Sequence, residues 1–587
     1  MTYRRAHRSL ALAFVSTGLM AACTRPITPA LPSPMSGKRV ESNRGMVSAS
    51  QSDAALAGVE ALRLGGNAVD AAVATGFALS VVDVSQTGLG GGGALTFYNA
   101  KTRRAEYILF YPRSGEDSAW GRAEPAGTRA MGRAAATPGM VAGLLAAQSR
   151  FGVLTREQVM APAIRLARDG FIVSPLLSRT ITSSREKLSA DSSAVSRFMP
   201  KGEALRPGDR LVQPELAATL QGISDRGADA FYTGAVADRL AAKVRSLGGL
   251  ITTRDMKAYA VANMRPLCSN WRGYTVLGAP PPMGGASVLE MLQVAEQSGV
   301  AGAGSFTDNP TAVARLADVL RIGQSDARWR GDPFMNQVPA RGVTSAAFAR
   351  QRARVVGGAF ADTMVAGDAW AFDSAAAPDG CANMEPYAPA TRRRVPQRAS
   401  KPLSDTAEGG SYTSHMSVVD ADGNAVSATT TVGVLFGSGV YTDGFFLNSA
   451  AGNFDATTRG PNRYANSTMS PTIILEGNQV RLVIGCAGSQ YIQPAIAQVA
   501  IRILAFGEDP GVAIAAPRIQ TTATSREVEV EPGFTNDVYG ALVARGYRPA
   551  SRVADIAFGA VHAVFVRRDG WRIGIADPRR DGVAIGR

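Results

Sequence analysis

The first third of the chain alternates helical and strand-like hydrophobic spacing. Ser52 is placed to cap a helix over Ala54–Arg63, stopped by Gly65-Gly66, and Asn67 to cap a second helix running to Val81. Gly88-Leu89-Gly90-Gly91-Gly92-Gly93 then precedes a strand over Ala94–Tyr98. A dinucleotide loop follows a strand and opens a helix, so this order predicts close backbone packing instead. Residues 138–350 are mostly helical in pattern, interrupted by strand-like Gly249–Thr252 and the turn Pro280-Pro281-Pro282. Residues 355–411 carry Gly, Ala, Pro and Asp without a sustained period and read as a long mobile segment.

Beyond that segment the pattern turns to strands. His415–Val419 and Asn424–Thr431 flank Asp420-Ala421-Asp422-Gly423, a hairpin signal. Thr472–Leu475 and Val480–Ile484 form a second hairpin around Glu476-Gly477-Asn478. Gln490–Phe506 follows as a helix with Ile492, Ile496, Val499 and Ile503 on one face. Strands and helices mix without a βαβ repeat, which predicts a layered α+β fold.

The first hairpin has a geometric consequence. With its turn centred on Asp422, Thr413 and Thr431 lie symmetrically about that residue and face each other, with Cβ atoms about 4.5–5.5 Å apart. A one-residue change in the turn would send them to opposite faces. Threonine also favours strands for reasons of shape alone. The second hairpin runs through Gly485-Cys486-Ala487-Gly488-Ser489 into its helix. A loop of small residues at a helix start presents backbone N–H groups suited to an oxyanion, and is equally an ordinary strand-to-helix turn.

Composition narrows the class. A chain of 587 residues, 45% hydrophobic and 19% charged, can bury a large core and is not disordered. The net charge of +14 raises nucleic acid as a partner. The arginines are dispersed, however, and the one dense run, Arg392–Arg394 with Arg398 and Lys401, lies among Pro and Ser as a solvated loop would. No nucleic-acid partner is expected.

At the N-terminus, Arg4, Arg5 and Arg8 precede an apolar stretch from Leu10 to Leu19 and then Met20-Ala21-Ala22-Cys23. This reads as a secretory signal over residues 1–23, too short for a membrane span, with Cys23 as a bacterial lipoprotein's lipidation site. Residues 24–40, rich in Pro and Ser, read as a tether. The expected location is the periplasm, on a membrane only through that lipid. Cys268, Cys381 and Cys486 are too few and too far apart for a disulfide framework; they read as small buried residues, with room for one bridge in an oxidising compartment. Outside the signal, His415 and His562 are the only histidines. No metal-ligand spacing exists, no cofactor is implied, and a Ser-His-Asp triad would depend on one of those two residues.

The stretch Thr413-Ser414-His415-Met416-Ser417-Val418, with Gly423-Asn424, Val426, Thr429, Thr431 and Phe436-Gly437, resembles the processing-site signature of γ-glutamyltranspeptidases. Supporting matches include Gly65-Gly66-Asn67-Ala68-Val69-Asp70, Thr137-Pro138-Gly139, Arg168-Asp169-Gly170-Phe171, Met469-Ser470-Pro471-Thr472, Ala516-Pro517-Arg518 and Asp577-Pro578-Arg579. The resemblance implies a four-layer αββα N-terminal-nucleophile hydrolase that cuts itself between Tyr412 and Thr413. The products would be a large subunit (41–412) and a small catalytic subunit (413–587), held together as a heterodimer. It implies Thr413 as nucleophile, with its freed amine as base, since a terminal amine has a pKa near 7.7–8.0. Thr431 would hydrogen-bond the nucleophile. Gly488 and Ser489 would form the oxyanion hole, the second position usually being glycine in the family.

Substrate positions agree less well. The family's three ligands for a glutamyl α-amino group align with Gly433, Ala450 and Asn453, which lose two ligands and one charge. For the α-carboxylate, Ser467 and Thr468 match the family's hydroxyl pair, and Arg113 stands about two positions from the usual arginine. The resemblance therefore implies a γ-glutamyltransferase or hydrolase of glutathione-like small molecules. An acylase for a donor without an α-amino group, such as a glutaryl amide, is one alternative, and a non-catalytic binding lipoprotein is another.

Overall fold

The structure, a computed structural model, describes residues 37–122, 131–374, 381, 411–455, 458–552 and 558–587. The signal peptide, Cys23, most of the 24–40 tether and the Arg392–Arg394 run lie outside the described residues. Two seven-stranded antiparallel sheets form the centre. One runs, in spatial order, Val583–Gly586, Met46–Ala49, Ser411–Val419, Ala425–Val434, Gly92–Asn99, Arg104–Phe110 and Ala262–Met264. The other runs Arg39–Ser42, Arg572–Ala576, Ala560–Val566, Gln479–Ala487, Thr472–Glu476, Tyr274–Gly278 and Leu267–Trp271. Both predicted hairpins thus sit inside the sheets, one in each.

The sheets face each other. Serines, small enough to reach across, join them: Ser427 Oγ donates to Ile484 O at 3.0 Å, and Ser417 Oγ to His562 O at 3.0 Å. Helix Ala68–Val82 is buried along its whole length and packs on the outer face of the first sheet, behind Ser411–Val419. Helices Gly285–Gln297 and Ile492–Leu504 cover the second sheet. The result is the αββα sandwich, and helix Ala68–Val82 is largely apolar all round because further helices cover its outer side.

Local signals decide several boundaries. Asn67 caps its helix in a capping box with Asp70, as expected. The preceding helix begins at Ser52 itself, and Gln51 caps it by accepting from Asp53 N at 2.6 Å. Gly249–Thr252 is not a strand. Thr252 forms a capping box with Asp255 and starts helix Thr253–Lys257, which overrides the apolar run before it. The glycine run packs as closely as its order predicts: a Cβ on Gly91 or Gly93 would come within 2.3 Å of the carbonyls of Thr431 or Thr429.

One expectation needs correction. Cys268 and Cys381 are not free buried thiols but a disulfide, with Cα atoms 5.7 Å apart and 113 residues between them in sequence. Cys486 alone keeps the predicted role, its thiol pushed up to about 12 by burial. Residues 355–374 also pack on the body. The Arg321 guanidinium donates to the carbonyls of Ala361 and Asp362 and lies 4.9 Å over the Phe360 ring. Residues 382–410 lie outside the described residues.

Candidate active site

Along the first hairpin the register is symmetric about Asp422: Val419 pairs with Ala425, His415 with Thr429 and Ser414 with Thr430. Beyond Ser414 it shifts, and Tyr412 pairs with Gly433. Thr413 therefore sits opposite both Thr431 and Val432 in a β-bulge. The bulge re-aims the Thr431 side chain: its hydroxyl donates to Tyr412 O at 2.6 Å and accepts from Gly433 N at 2.7 Å. Both threonines are buried. The expected face-to-face pair is thus a contact between Thr431 and the carbonyl just before Thr413.

The far side of Thr413 is held by residues that carried no sequence signal. Arg580 Nη1 donates to Thr413 O at 2.8 Å and to Gln86 Oε1 at 2.6 Å. Gln86 Nε2 donates to Asp83 Oδ1 at 2.7 Å, and Ser414 Oγ donates to Asp83 Oδ2 at 2.5 Å. The ring closes on the residue next to Thr413, and all four side chains are buried. Burial pushes the Asp83 carboxyl up to about 6, against hydrogen bonds from Ser414 and Gln86 and the charge of Arg580. Arg580 follows the quoted Asp577-Pro578-Arg579, and Asp83 ends the buried helix; neither neighbour reveals the contact in advance.

The histidines do not serve a triad. His415 lies between the sheets, bonded to Thr429 Oγ1 at 2.8 Å and Ser417 Oγ at 3.0 Å, and burial drives its pKa well down. His562, also buried, is pushed to about 3. The Ala516-Pro517-Arg518 and Asp577-Pro578-Arg579 motifs meet each other. Arg518 and Arg579 both pair with Asp577, and Arg579 also with Glu531. Burial raises the Asp577 carboxyl, but the two guanidiniums outweigh it and hold the group well below the usual range.

Gly488 and Ser489 form the turn after strand Gln479–Ala487, and the Thr413 strand approaches this turn within 8 Å, Cα to Cα. Ser489 has φ +54°, a conformation that favours glycine, and Gly488 has φ +134°. The substrate candidates gather on one segment. Arg113 bridges to Tyr464, and its guanidinium lies 5.7 Å over that ring. Asn453 O accepts from Asn466 N at 3.2 Å. Ser467 and Thr468 follow, with Ser467 Oγ accepting from Met469 N at 3.2 Å. No hydrogen bond between described residues joins Arg113 to Ser467 or Thr468. Asn453 spends its amide on Tyr111 Oη at 2.9 Å. A Cβ on Gly433, where φ is +96°, would meet Ser449 Oγ at 2.2 Å, so the missing side chain there is built into the packing.

The family model described as gamma-glutamyltranspeptidase matches residues 54–587. The chain belongs to the gamma-glutamyltranspeptidase family. Among its relatives is a glutathione hydrolase proenzyme of Bacillus subtilis (strain 168), 31% identical over 92% of this chain and 91% of the relative. An acylase ACY 1 proenzyme of Pseudomonas sp. (strain V22) is also 31% identical, over 93% of this chain and 94% of its own. A cephalosporin acylase from Bacillus halodurans has the same fold, with a TM-score of 0.79 at 24% identity, covering 96% of this chain and 99% of that one. As a gamma-glutamyltranspeptidase family member the protein is an enzyme, a self-processing hydrolase or transferase of the N-terminal-nucleophile type. It works on a small-molecule amide as two subunits cut from one chain.

Proposed function

We propose that the chain cleaves itself between Tyr412 and Thr413 and then transfers γ-glutamyl groups from compounds such as glutathione, through a Thr413 acyl-enzyme, to water or an amine. The hydrogen bond from Thr431 to Tyr412 O carries this reading. When Thr413 Oγ1 adds to the Tyr412 carbonyl carbon, negative charge develops on the oxygen that Thr431 already contacts. Collapse breaks the C–N bond and leaves Tyr412 esterified to Thr413. Water then hydrolyses the ester, releasing the Tyr412 carboxylate and the Thr413 hydroxyl beside the amine freed when the C–N bond broke. That amine takes the proton of Oγ1 in each later turnover. Gly488 and Ser489 amides face the substrate's oxyanion, and Arg113, Ser467 and Thr468 hold its carboxylate. The intact hydroxyl pair speaks against a non-catalytic role.

A second reading, an acylase for glutaryl-type amides, is favoured by one observation: Gly433 and Ala450 offer no side-chain polar group to an ammonium, and Asn453 is tied to Tyr111. An unmatched ammonium in a buried pocket costs about 1–3 kcal/mol. Initial rates on γ-glutamyl and glutaryl 4-nitroanilides decide between them. Faster γ-glutamyl turnover is expected, and a glutaryl preference would transfer the assignment to the second reading.

Export and lipidation at Cys23 complete the proposal. The Cys268–Cys381 bridge supports an oxidising compartment. Cys23→Ser should release the protein from membranes, and unchanged fractionation would refute the anchor.

A further inference from the structure

Lys38 faces the loop that carries Arg580. Its ammonium makes three hydrogen bonds, each to a backbone carbonyl of that loop: Asp577 O at 3.4 Å, Arg580 O at 2.5 Å and Gly582 O. The 577–582 loop leaves strand Arg572–Ala576 of one sheet and enters strand Val583–Gly586 of the other. Both its ends are tied to the same stretch of chain, for Ala576 N donates to Lys38 O at 2.9 Å and Ala584 N to Gly37 O at 2.8 Å. From this loop the Arg580 side chain points inward, with Nη1 on Thr413 O and Gln86 Oε1. One end of Arg580 is therefore set by Lys38, and the other meets the cleavage site.

The charge of Lys38 is not spent on an ion pair among the described residues. Asp577 pairs with Arg518 and Arg579, and Asp581 Oδ2 accepts from Leu176 N at 3.3 Å. Burial pushes the ammonium's pKa down, against the longer-range pull of Asp581 and Asp577. A half-buried cation is costly unless its hydrogen bonds are kept, and all of these go to the backbone of one loop.

We propose that Lys38 is a positioning residue for self-cleavage: by fixing the backbone of the 577–582 loop it sets the Arg580 guanidinium on the Thr413 carbonyl. The inference rests on the reading above that the chain divides at Tyr412–Thr413. Lys38 itself touches neither the bond nor the nucleophile and acts through Arg580 alone.

The test follows the division rate of the full-length precursor in wild type, Lys38→Met, Arg580→Lys and the double variant. Lys38→Met keeps the stem, removes the three donors and should slow cleavage about ten-fold. The double variant should cleave no more slowly than Arg580→Lys alone, because nothing remains for Lys38 to position. Slowings that multiply overturn the inference, as does a Lys38→Met precursor that divides at the wild-type rate. A wild-type chain that stays whole overturns the cleavage reading and this role with it. A second measurement decides where Lys38→Met or Arg580→Lys gives no measurable rate. Lys38→Cys is alkylated with 2-bromoethylamine, which rebuilds an ammonium at the length of lysine, or with 1-iodopropane, which adds a neutral chain of the same size. Cys486 is buried and shielded from both reagents. The aminoethylated precursor should divide about ten-fold faster than the propylated one. Equal rates after the two treatments overturn the inference.

Discussion

Thr431 and Tyr412 are joined by a 2.6 Å hydrogen bond from hydroxyl to carbonyl oxygen, made across a β-bulge that opposes one residue to two. A regular ladder would have set Thr431 against Thr413. The bulge moves its hydroxyl onto the Tyr412 carbonyl, where, on the proposed cleavage at Tyr412–Thr413, it would polarise the bond to be broken.

Replacing that donor tests the arrangement. Thr431→Val keeps shape and removes the hydroxyl, and should slow self-cleavage about 10²–10³-fold, as loss of one oxyanion donor does. Thr431→Ser should retain most of the rate. The fraction of cleaved chain over time, read by gel densitometry, gives both values.

Asp83 sets stability against function. Its folded value of about 6 lies above the unfolded value of about 3.9, so the folded state holds the extra proton between them and stability falls as pH rises from about 4 to 6. The charge is present and costly above that window. Asp83→Asn should therefore melt higher than wild type at pH 8 and show a flatter pH–Tm curve from 4 to 6. It should also self-cleave about ten-fold more slowly, because Asn places an NH2 donor at one of the two oxygen positions to which Ser414 and Gln86 donate. Wild-type cleavage should slow as pH falls through about 6, where Asp83 takes up its proton.

The Cys268–Cys381 bridge lies wholly on the N-terminal side of Thr413. Non-reducing electrophoresis should still separate two subunits, and reduction should shift only the larger one. Cys268→Ser should lower stability by about 2–4 kcal/mol in chemical denaturation.

Gly433 is fixed by its surroundings. Gly433→Ala sets a Cβ against Ser449 Oγ at a positive φ and should destabilise by about 1–3 kcal/mol, measurable as a lower Tm. Gly433→Asn should likewise lose stability and fail to raise the γ-glutamyl preference.

Much of this was legible in sequence because it is local. The turn at Asp422 set the register that brings Thr431 to the Tyr412 carbonyl, Asn67 and Asp70 capped their helix within four residues, and the order of the glycine run pointed to close backbone packing. What escaped was non-local. Arg580 reaches Thr413 across 167 residues of chain, and Gln86 reaches Arg580 across 494. Nothing in spacing marks such a contact before the sheets are stacked. The bulge itself, one residue of slip at Thr413, was invisible to a symmetric count. Cys268 and Cys381 looked like ordinary buried cysteines because neither the helical pattern up to residue 350 nor the aperiodic run after it indicates that the chain returns to Cys268.

The most direct test of the central claim is the intact mass of the purified, denatured protein. Two fragments whose masses place the break between Tyr412 and Thr413, the smaller beginning with Thr413, are expected, together with a single uncleaved chain from Thr413→Ala. A wild-type preparation that remains one chain, or a Thr413→Ala chain that still divides at that bond, would contradict the account.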